Sequence, residues 1–287
     1  MADLVTRLIL PPGSVAAGDA LTLHCWLPQV PPRAAILLSH GYAEHGGRYA
    51  PLAAAFNTAG YAVYAIDHWG HGTSDGVGGF VPQFSVYRDG LDALVAQVRA
   101  EQGDAASLFL VGHSMGGLIA ADYLIDHQHD FIAAALSGPA LAPAKRPSRL
   151  MKAASRILSR YAPKMGVLSL NGDAVSRDSA VVAAYRSDPL VYRGKISARL
   201  GHEMLQAMDR VAQHRRAIHL PLFIQHGGAD QLTAMQGSEQ FFVFLGSVDK
   251  QIQIYDGLFH EIYNEPERAE VIADLITWCD RHLPPVA

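Results

Sequence analysis

The chain has 287 residues, of which 49% are hydrophobic, and its formal net charge is -4. A chain of this length and composition can bury a sizeable core, which excludes a disordered protein and allows one large α/β domain or two small ones. The 23 Lys and Arg and the 27 Asp and Glu are scattered without long runs of one sign, so no nucleic-acid partner is predicted.

The cysteines and the first residues narrow the class of protein further. Cys25 and Cys279 lie near opposite ends of the chain in apolar segments, so we expect buried thiols rather than a disulfide framework or a cysteine metal site. Residues 1–13 combine a short apolar run with an acidic residue and prolines, which fits neither a signal peptide nor a membrane span. We therefore expect a cytoplasmic protein.

The first half of the chain alternates between apolar runs typical of strands and stripes typical of helices. Residues 6–10 and 21–27 predict an antiparallel hairpin at one edge of a sheet. Further strands are predicted at residues 34–39, 61–66 and 107–111. Helices are predicted at residues 49–58 and 118–125, and along the stripe of Leu91, Leu94, Val95 and Val98.

The pattern changes after a strand predicted at residues 131–136. Pro139, Pro143 and Pro147 interrupt the chain, and no strand is predicted between residues 139 and 219. Helices are predicted there at residues 148–161, 179–185 and 198–219, and a loop at residues 163–172. A helical insertion between two strands predicts a cap.

Strands and helices alternate again after residue 219. The strands are predicted at residues 222–226 and 251–255, and the helices at residues 238–245 and along Val271, Ile272, Leu275, Ile276 and Cys279. The predicted fold class is α/β, with a mostly parallel sheet and helices on both faces. Residues 1–138 and 220–287 are predicted to form this core, and residues 139–219 the helical cap.

The turn after the strand at residues 107–111 reads GHSMGG at residues 112–117. In a G-x-S-x-G turn the glycines make room for a strained backbone, which exposes the hydroxyl of the central serine, here Ser114. The backbone N–H of Met115, at the start of the helix, can point at developing negative charge. The turn predicts a nucleophile elbow, and the alternative is an ordinary glycine-rich turn.

A serine hydroxyl is a weak nucleophile, so it needs a neutral imidazole as base and a carboxylate that orients the imidazole. On this fold both follow the serine in chain order. Of the 14 histidines, His260 lies on a loop that leaves the strand at residues 251–255, at the expected edge of the sheet. Asp230 follows a strand through a Gly-Gly-Ala turn and is the predicted acid. Asp249 and Asp256 are its rivals, and a solvated turn residue is the other interpretation of Asp230.

An oxyanion hole needs two N–H donors aimed at the tetrahedral oxygen. Met115 supplies one, and the loop after the strand at residues 34–39 supplies the other, so the backbone N–H of Tyr42 is the candidate. No metal is predicted, because no H-E-x-x-H or equivalent ligand spacing occurs. Ring hydrogen bonds within turns are expected instead for the histidines nearest these motifs, which are His40, His45, His68, His71 and His113.

Together these stretches resemble the monoacylglycerol lipase branch of the α/β-hydrolases, also labelled serine aminopeptidase S33 or lysophospholipase-like hydrolases. The resemblance covers nearly the whole chain and rests on residues 40–49, 67–76, 112–117, 176–178, 187–190, 226–230 and 255–266. It implies an eight-stranded core, a helical cap, and hydrolysis of monoacylglycerols or similar esters without a cofactor. It also implies the triad Ser114, Asp230 and His260 with an oxyanion hole at Tyr42 and Met115. Many relatives have a small residue where this chain has Tyr42, whose ring would narrow the acyl channel or offer a hydroxyl.

The predicted cap combines apolar and basic residues. The apolar ones are Met151, Ile157, Leu158, Met165, Val167, Leu168 and Leu170, and the basic ones are Lys145, Arg146, Arg149, Lys152, Arg156, Arg160 and Lys164. The apolar face either packs on the core or walls an acyl pocket. The predicted pocket residues are Tyr42, His113, Met165, Leu168 and Leu170. The basic face favours transient contact with anionic lipid surfaces, which would make the protein peripheral at membranes.

The sequence therefore predicts a serine carboxylic ester hydrolase that cleaves small-molecule acyl esters through an acyl-enzyme intermediate. Ser114 attacks, His260 transfers the proton, and Asp230 orients His260. Two alternatives stay open: an aminopeptidase or amidase with the same triad, and a ligand-binding α/β-hydrolase that turns over little or nothing.

Overall fold

The structure, a computed structural model, describes residues 4–143 and 148–285. Of the basic residues predicted on the cap, Lys145, Arg146 and the side chain of Arg149 lie outside this described part, as does Pro147. Within it, none of the helices has the length and apolar character needed to cross a membrane.

The described chain contains one large sheet and one small one. The strands are β1 (Leu4–Ile9), β2 (Ala20–Trp26), β3 (Ala34–Ser39), β4 (Tyr61–Ile66), β5 (Leu108–His113), β6 (Ala133–Ser137), β7 (Gly166–Leu168), β8 (Ile196–Ser197), β9 (Leu222–Gly227) and β10 (Lys250–Tyr255). The large sheet has eight strands in the order β1-β2-β4-β3-β5-β6-β9-β10. The strands from β4 to β10 in this order pair in parallel, whereas β1 and β2 pair antiparallel at one edge, as predicted.

Helices cover both faces of the large sheet. They are α1 (Ala50–Thr58), α2 (Ser85–Gln102), α3 (Met115–His127), α4 (Arg149–Tyr161), α5 (Ser179–Ser187), α6 (Ala198–His214), α7 (Met235–Phe244) and α8 (Arg268–His282). The central strands are buried on both faces, and alternate residues of a strand enter different cores. In β3, Leu37 packs in the core that includes α2, α3 and α6, whereas Ile36 and Leu38 pack in the core that includes α1 and α8.

The parallel strands bring several loops to one edge of the sheet. His40, Asp67, Ser114 and the loops that carry Asp230 and His260 all follow the carboxyl ends of their strands. Open α/β sheets place their ligands at this edge. This edge is therefore where a site is expected.

The chain between β6 and β9 departs from the alternation, and it differs from the sequence prediction in one respect. It carries helices α4, α5 and α6, as expected, but β7 forms within the predicted loop at residues 163–172 and pairs antiparallel with β8. The prediction that no strand occurs here was wrong. Both strands are very short, and their pairing joins residues far apart in sequence, so neither has a local signal.

Two element boundaries near the predicted site also shift. The predicted strand at residues 107–111 continues to His113, because Gly112 and His113 pair with Leu136 and Ser137 of β6. The predicted helix at residues 198–219 ends as an α-helix at His214 and continues as a single 3₁₀ turn. The extended β5 ends directly before Ser114.

Candidate active site

Ser114 occupies a strained turn between β5 and α3. Its φ of 55° lies in the left-handed region, which side chains other than glycine rarely adopt. The turn needs glycine at Gly116, because a Cβ there would lie 2.0 Å from the carbonyl oxygen of Ser39. The Ser114 N–H donates to the Ser137 carbonyl at 2.9 Å, and the Ser114 carbonyl accepts from the Ala140 N–H at 2.9 Å. These contacts fix the backbone while the side chain lines a cavity.

His260 and Asp230 meet at the same edge of the sheet. The Nδ1 atom of His260 lies 2.7 Å from Oδ2 of Asp230. An ionised carboxylate only accepts hydrogen bonds, so Nδ1 carries the proton and Nε2 is left as the basic nitrogen. Oδ1 of Asp230 accepts from the backbone N–H groups of Leu232 and Thr233 at 2.7 and 3.0 Å. The carboxylate is therefore held on both oxygens.

The environment of Asp230 keeps its carboxyl group ionised. Burial acts to raise the pKa of Asp230, but hydrogen bonds from His226 and His260 outweigh it and hold the pKa far below its usual value. The two rival acids lie elsewhere: Asp249 contacts His282 at 3.0 Å, and Asp256 is exposed. Of the three candidates, Asp230 is the one hydrogen-bonded to His260.

The loop after β3 is held in a defined shape beside Ser114. The Gly41 N–H donates to Oε1 of Glu44 at 2.7 Å, and the Ala43 carbonyl accepts from the Tyr192 N–H at 2.8 Å. Ala43 has a φ of 72°, a second non-glycine residue in the left-handed region. Across the described residues, no protein acceptor binds the backbone N–H of Tyr42 or of Met115. Both groups are therefore available as donors.

An apolar cavity of about 530 Å³ opens at Ser114 and His260. Four of the predicted pocket residues line it: Tyr42, His113, Leu168 and Leu170. Met165 was predicted with them but is not among the described residues that line the cavity. It lies in the turn before β7, where its backbone carbonyl accepts from the Ala198 N–H and its side chain is 44% exposed.

Comparison with known proteins adds the family. The profile of the serine aminopeptidase S33 family matches residues 30–267. The chain belongs to this family. A monoacylglycerol lipase of Mycolicibacterium smegmatis is 36% identical over 266 residues, which cover 93% of this chain and 95% of the relative. The human monoglyceride lipase is 32% identical, over 87% of this chain and 82% of its own length.

Solved structures show the same fold. The crystal structure of Paleococcus ferrophilus monoacylglycerol lipase matches with a TM-score of 0.82 and 31% identity, over 91% of this chain and 99% of that one. A soluble variant of monoglyceride lipase from Saccharomyces cerevisiae, in complex with a substrate analog, matches with a TM-score of 0.85 at 22% identity, over 100% of this chain and 97% of that one. The predicted α/β-hydrolase fold and the family resemblance are both confirmed.

Sequence reasoning gave no role to two buried glutamates of this S33 hydrolase and the half-buried arginine that joins them. Arg48 donates through one nitrogen to Glu44 and to Glu261, at 2.7 Å each, and through the other to Glu261 at 2.8 Å. Burial acts to raise the pKa of Glu261, but the charge and hydrogen bonds of Arg48, together with the hydrogen bond from Asn264, lower that pKa. Glu44 holds the loop before Tyr42, and Glu261 follows His260, so one guanidinium joins the two loops. Glu44 and Arg48 lie in the stretch at residues 40–49 that carries the resemblance, which was the available signal.

Sequence reasoning also missed part of the cavity wall of this S33 hydrolase. Besides α4 and β7, helix α6 contributes Met204, Leu205 and Met208. Their spacing follows the apolar stripe of an amphipathic helix, which marks them as facing the protein interior but does not show that they line the cavity. The cavity wall therefore includes more residues than were predicted.

One group of described residues brings together side chains of the kind that bind metals. Ligand atoms of His24, His45 and Asp67 lie within 4.8 Å of one another. Asp67 Oδ1 contacts His24 Nε2 at 3.0 Å and accepts from the Gly46 N–H at 2.8 Å, and Oδ2 accepts from the Thr73 N–H at 3.0 Å. These hydrogen bonds satisfy the carboxylate without an ion, so the grouping needs no metal to explain it.

Proposed function

We propose that this S33 hydrolase cleaves monoacylglycerols or similar monoacyl esters through an acyl-enzyme intermediate. The observation that carries the proposal is the 2.7 Å contact between His260 Nδ1 and Asp230 Oδ2, because His260 and Ser114 both line the apolar cavity. The relatives and solved structures that are named as monoacylglycerol or monoglyceride lipases support the choice of substrate.

In the proposed mechanism, Ser114 Oγ attacks the ester carbonyl while His260 Nε2 takes its proton. The backbone N–H groups of Tyr42 and Met115 stabilise the oxyanion of the tetrahedral intermediate. His260 then returns the proton to the leaving alcohol, which departs and leaves Ser114 acylated. Water, activated by the same imidazole, releases the fatty acid. Asp230 keeps the proton on Nδ1 and stabilises the imidazolium formed in each half-reaction.

The shape and chemistry of the cavity support an acyl chain as the group it holds. Its volume of about 530 Å³ falls in the range of small-molecule sites, and most of its wall is apolar. Met151, Met204 and Met208 line it, and methionine side chains adapt to irregular apolar ligands. We therefore propose medium to long monoacyl esters as substrates.

The aminopeptidase alternative lacks a suitable recognition group. A substrate ammonium needs a free carboxylate near the serine. Among the described residues that line the cavity, Glu44 and Glu261 carry the carboxylates, and both are already paired with Arg48. The non-catalytic alternative is disfavoured by the paired base and acid beside a half-buried serine that lines the cavity.

We also propose that residues 139–219 form a cap that delivers substrate from lipid surfaces. The α4 helix exposes apolar side chains, among them Leu150 at 79%, and it carries the cations Lys152, Arg156 and Arg160. Such a face suits brief contact with anionic lipid without insertion. The enzyme would then work in the cytoplasm, peripherally at membranes.

Two assays test the proposal together. Fluorophosphonate labelling reports whether Ser114 is activated, and hydrolysis of a monoacylglycerol is compared with hydrolysis of an aminoacyl anilide. We expect labelling and faster hydrolysis of the ester. Preference for the anilide would favour the aminopeptidase, and pocket binding without label or turnover would favour the non-catalytic protein.

A further inference from the structure

The carboxylate of Asp230 is shared by two histidines. Besides His260, the fully buried His226 near the end of β9 places its Nε2 atom 3.2 Å from Oδ2 of Asp230. The other nitrogen of His226, Nδ1, lies 2.8 Å from Oγ of Ser238 in α7. Ser238, His226, Asp230 and His260 therefore form one continuous chain of contacts.

The protons of this chain can be assigned from the chemistry of each group. Asp230 only accepts, so His226 Nε2 must carry a hydrogen to make a favourable contact. In a neutral imidazole the other nitrogen is then an acceptor, and the Ser238 hydroxyl donates to Nδ1. Ser238 thereby selects the tautomer of His226 that donates to Asp230.

A third donor, Thr233, does not replace His226. Its hydroxyl oxygen lies 2.7 Å from Asp230 Oδ2 but also 3.0 Å from the Gly138 carbonyl oxygen. A hydroxyl has one proton and cannot donate fully to both acceptors. His226 Nε2 lies 3.2 Å from Asp230 Oδ2 and 3.4 Å from the Thr233 hydroxyl oxygen, and the carboxylate, which is both nearer and charged, is the stronger acceptor for its proton.

We propose that His226 is a positioning residue for the reaction put forward above, on which this inference rests. During catalysis His260 becomes an imidazolium, and Asp230 must stay ionised instead of taking the Nδ1 proton. The second N–H donor stabilises the negative charge on Oδ2 and holds that oxygen in line with His260. His226 touches neither the ester nor Ser114 and acts through Asp230 alone.

The test compares two substitutions that differ in their ability to donate. In H226L the donor is lost, and we expect kcat to fall roughly 10- to 100-fold with little change in KM, as for a lost hydrogen bond to a charged group. In H226Q the side-chain amide can donate to Asp230, and we expect kcat within a few-fold of the wild type. S238A removes the hydrogen bond that selects the tautomer of His226, so its kcat should lie between those of H226L and H226Q.

The pH profile separates positioning from a purely structural role. Without the His226 N–H, the Asp230 carboxylate is less stabilised as an anion, so it attracts the proton that it shares with His260 more strongly. The acidic limb of the kcat/KM profile should therefore move to higher pH in H226L and stay in place in H226Q. Thermal unfolding of each variant reports stability separately.

The outcomes distinguish this inference from the proposed function. If folded H226L has wild-type kinetics, or if kcat falls as much in folded H226Q as in H226L, the positioning role is overturned. The proposed hydrolase activity would still stand. If H226L does not fold, the pair H226Q and S238A still decides, because unchanged kinetics in S238A would also overturn it. A wild-type protein that neither turns over esters nor reacts with fluorophosphonate would overturn both proposals.

Discussion

The carboxyl edge of the large sheet and the outer wall of the cavity are built in opposite ways. At the edge, Ser114, Asp230 and His260 are held by backbone geometry and short hydrogen bonds, and the side chains of Asp230 and His260 are buried. In the wall, Met151 and Leu168 line the cavity and still expose 62% and 54% of their surface. Directional bonds tolerate little displacement, whereas apolar contacts can be rearranged.

The carboxyl edge and the cavity wall are also held in place by different kinds of contact. Ion pairs whose side chains are largely buried join the loops at the edge, as Arg48 does between Glu44 and Glu261. Helix α4 of the wall contacts α6 through half-buried or exposed pairs such as Lys152 with Asp209. The difference teaches that the chemistry and the choice of acyl chain are carried by separate parts of the molecule, which substitutions can address one at a time.

The largest effect is expected at the edge, from Ser114→Ala. Loss of the nucleophile should lower kcat by about 10⁶, as in other serine hydrolases, while the fold is retained. Ester turnover and circular dichroism measure the two quantities. Ser179→Ala, at an exposed serine of α5, is the matched control and should keep full activity. Substantial turnover by the Ser114 variant would disprove the mechanism.

The next largest effect is expected from Asp230→Asn. An amide in place of the carboxylate favours the wrong tautomer of His260, and kcat should fall by roughly 10⁴. Asp256→Asn serves as the control, because Asp256 is exposed in the turn before His260. Steady-state kinetics of both variants decide the matter. A larger loss in the Asp256 variant would mean that the acid is assigned wrongly.

A smaller effect, on stability, is expected from the buried histidines at the edge. Burial lowers the pKa of His68 to about 3, of His71 to about 4 and of His113 to about 3. The unfolded chain therefore binds protons below about pH 6.5 that the folded chain does not. The stabilising contribution is complete above that pH and is lost as the pH falls toward about 4 and 3.

Urea unfolding at about pH 7.5 and about pH 5 measures this loss. Each buried histidine should lower the free energy of unfolding by up to about 2 kcal/mol between the two conditions. His68→Gln should reduce the difference, whereas His129→Gln, at a side chain that is 74% exposed, should not. Equal stability at the two pH values would contradict the neutral buried state of these rings.

The smallest effects are expected from substitutions in the wall. Each methylene buried in the cavity contributes up to about 0.8 kcal/mol, so kcat/KM should rise several-fold for each added pair of carbons until the cavity is filled. Leu168→Asp and Leu170→Asp should reduce this dependence on chain length and leave kcat/KM for short esters almost unchanged. Leu150→Asp is the control, since Leu150 lies on α4 but does not line the cavity.

An ester series measured on the three variants tests the separation of the two regions. A profile that falls beyond butyrate in the wild type would rule out the acyl pocket. A profile unchanged in folded Leu168 and Leu170 variants would place the chain-length preference elsewhere. If the Leu168 and Leu170 variants lose kcat/KM equally for short and long esters, the wall also contributes to the catalytic step.

Much of the core could be predicted from the sequence, because its signals are local. The strands at β3 and β4 have the predicted bounds, since uninterrupted apolar runs between turn residues are distinctive. The turn at Ser114 and the loops of Asp230 and His260 were also recognisable from neighbouring residues. Parallel strands bring their carboxyl ends to one edge, so local signals sufficed to propose which loops meet there.

The sequence by itself determined the order of the strands and helices in the core, the strand-turn-helix unit at Ser114 and the family. Only the tertiary structure decided the pairing of β7 with β8, the link that Arg48 makes between Glu44 and Glu261, and the contact of His226 with Asp230. It also decided that α6 shares the cavity wall and that Met165 lies outside it. A periodic pattern reports which face of an element is buried, whereas partners distant in sequence are chosen by how the elements pack.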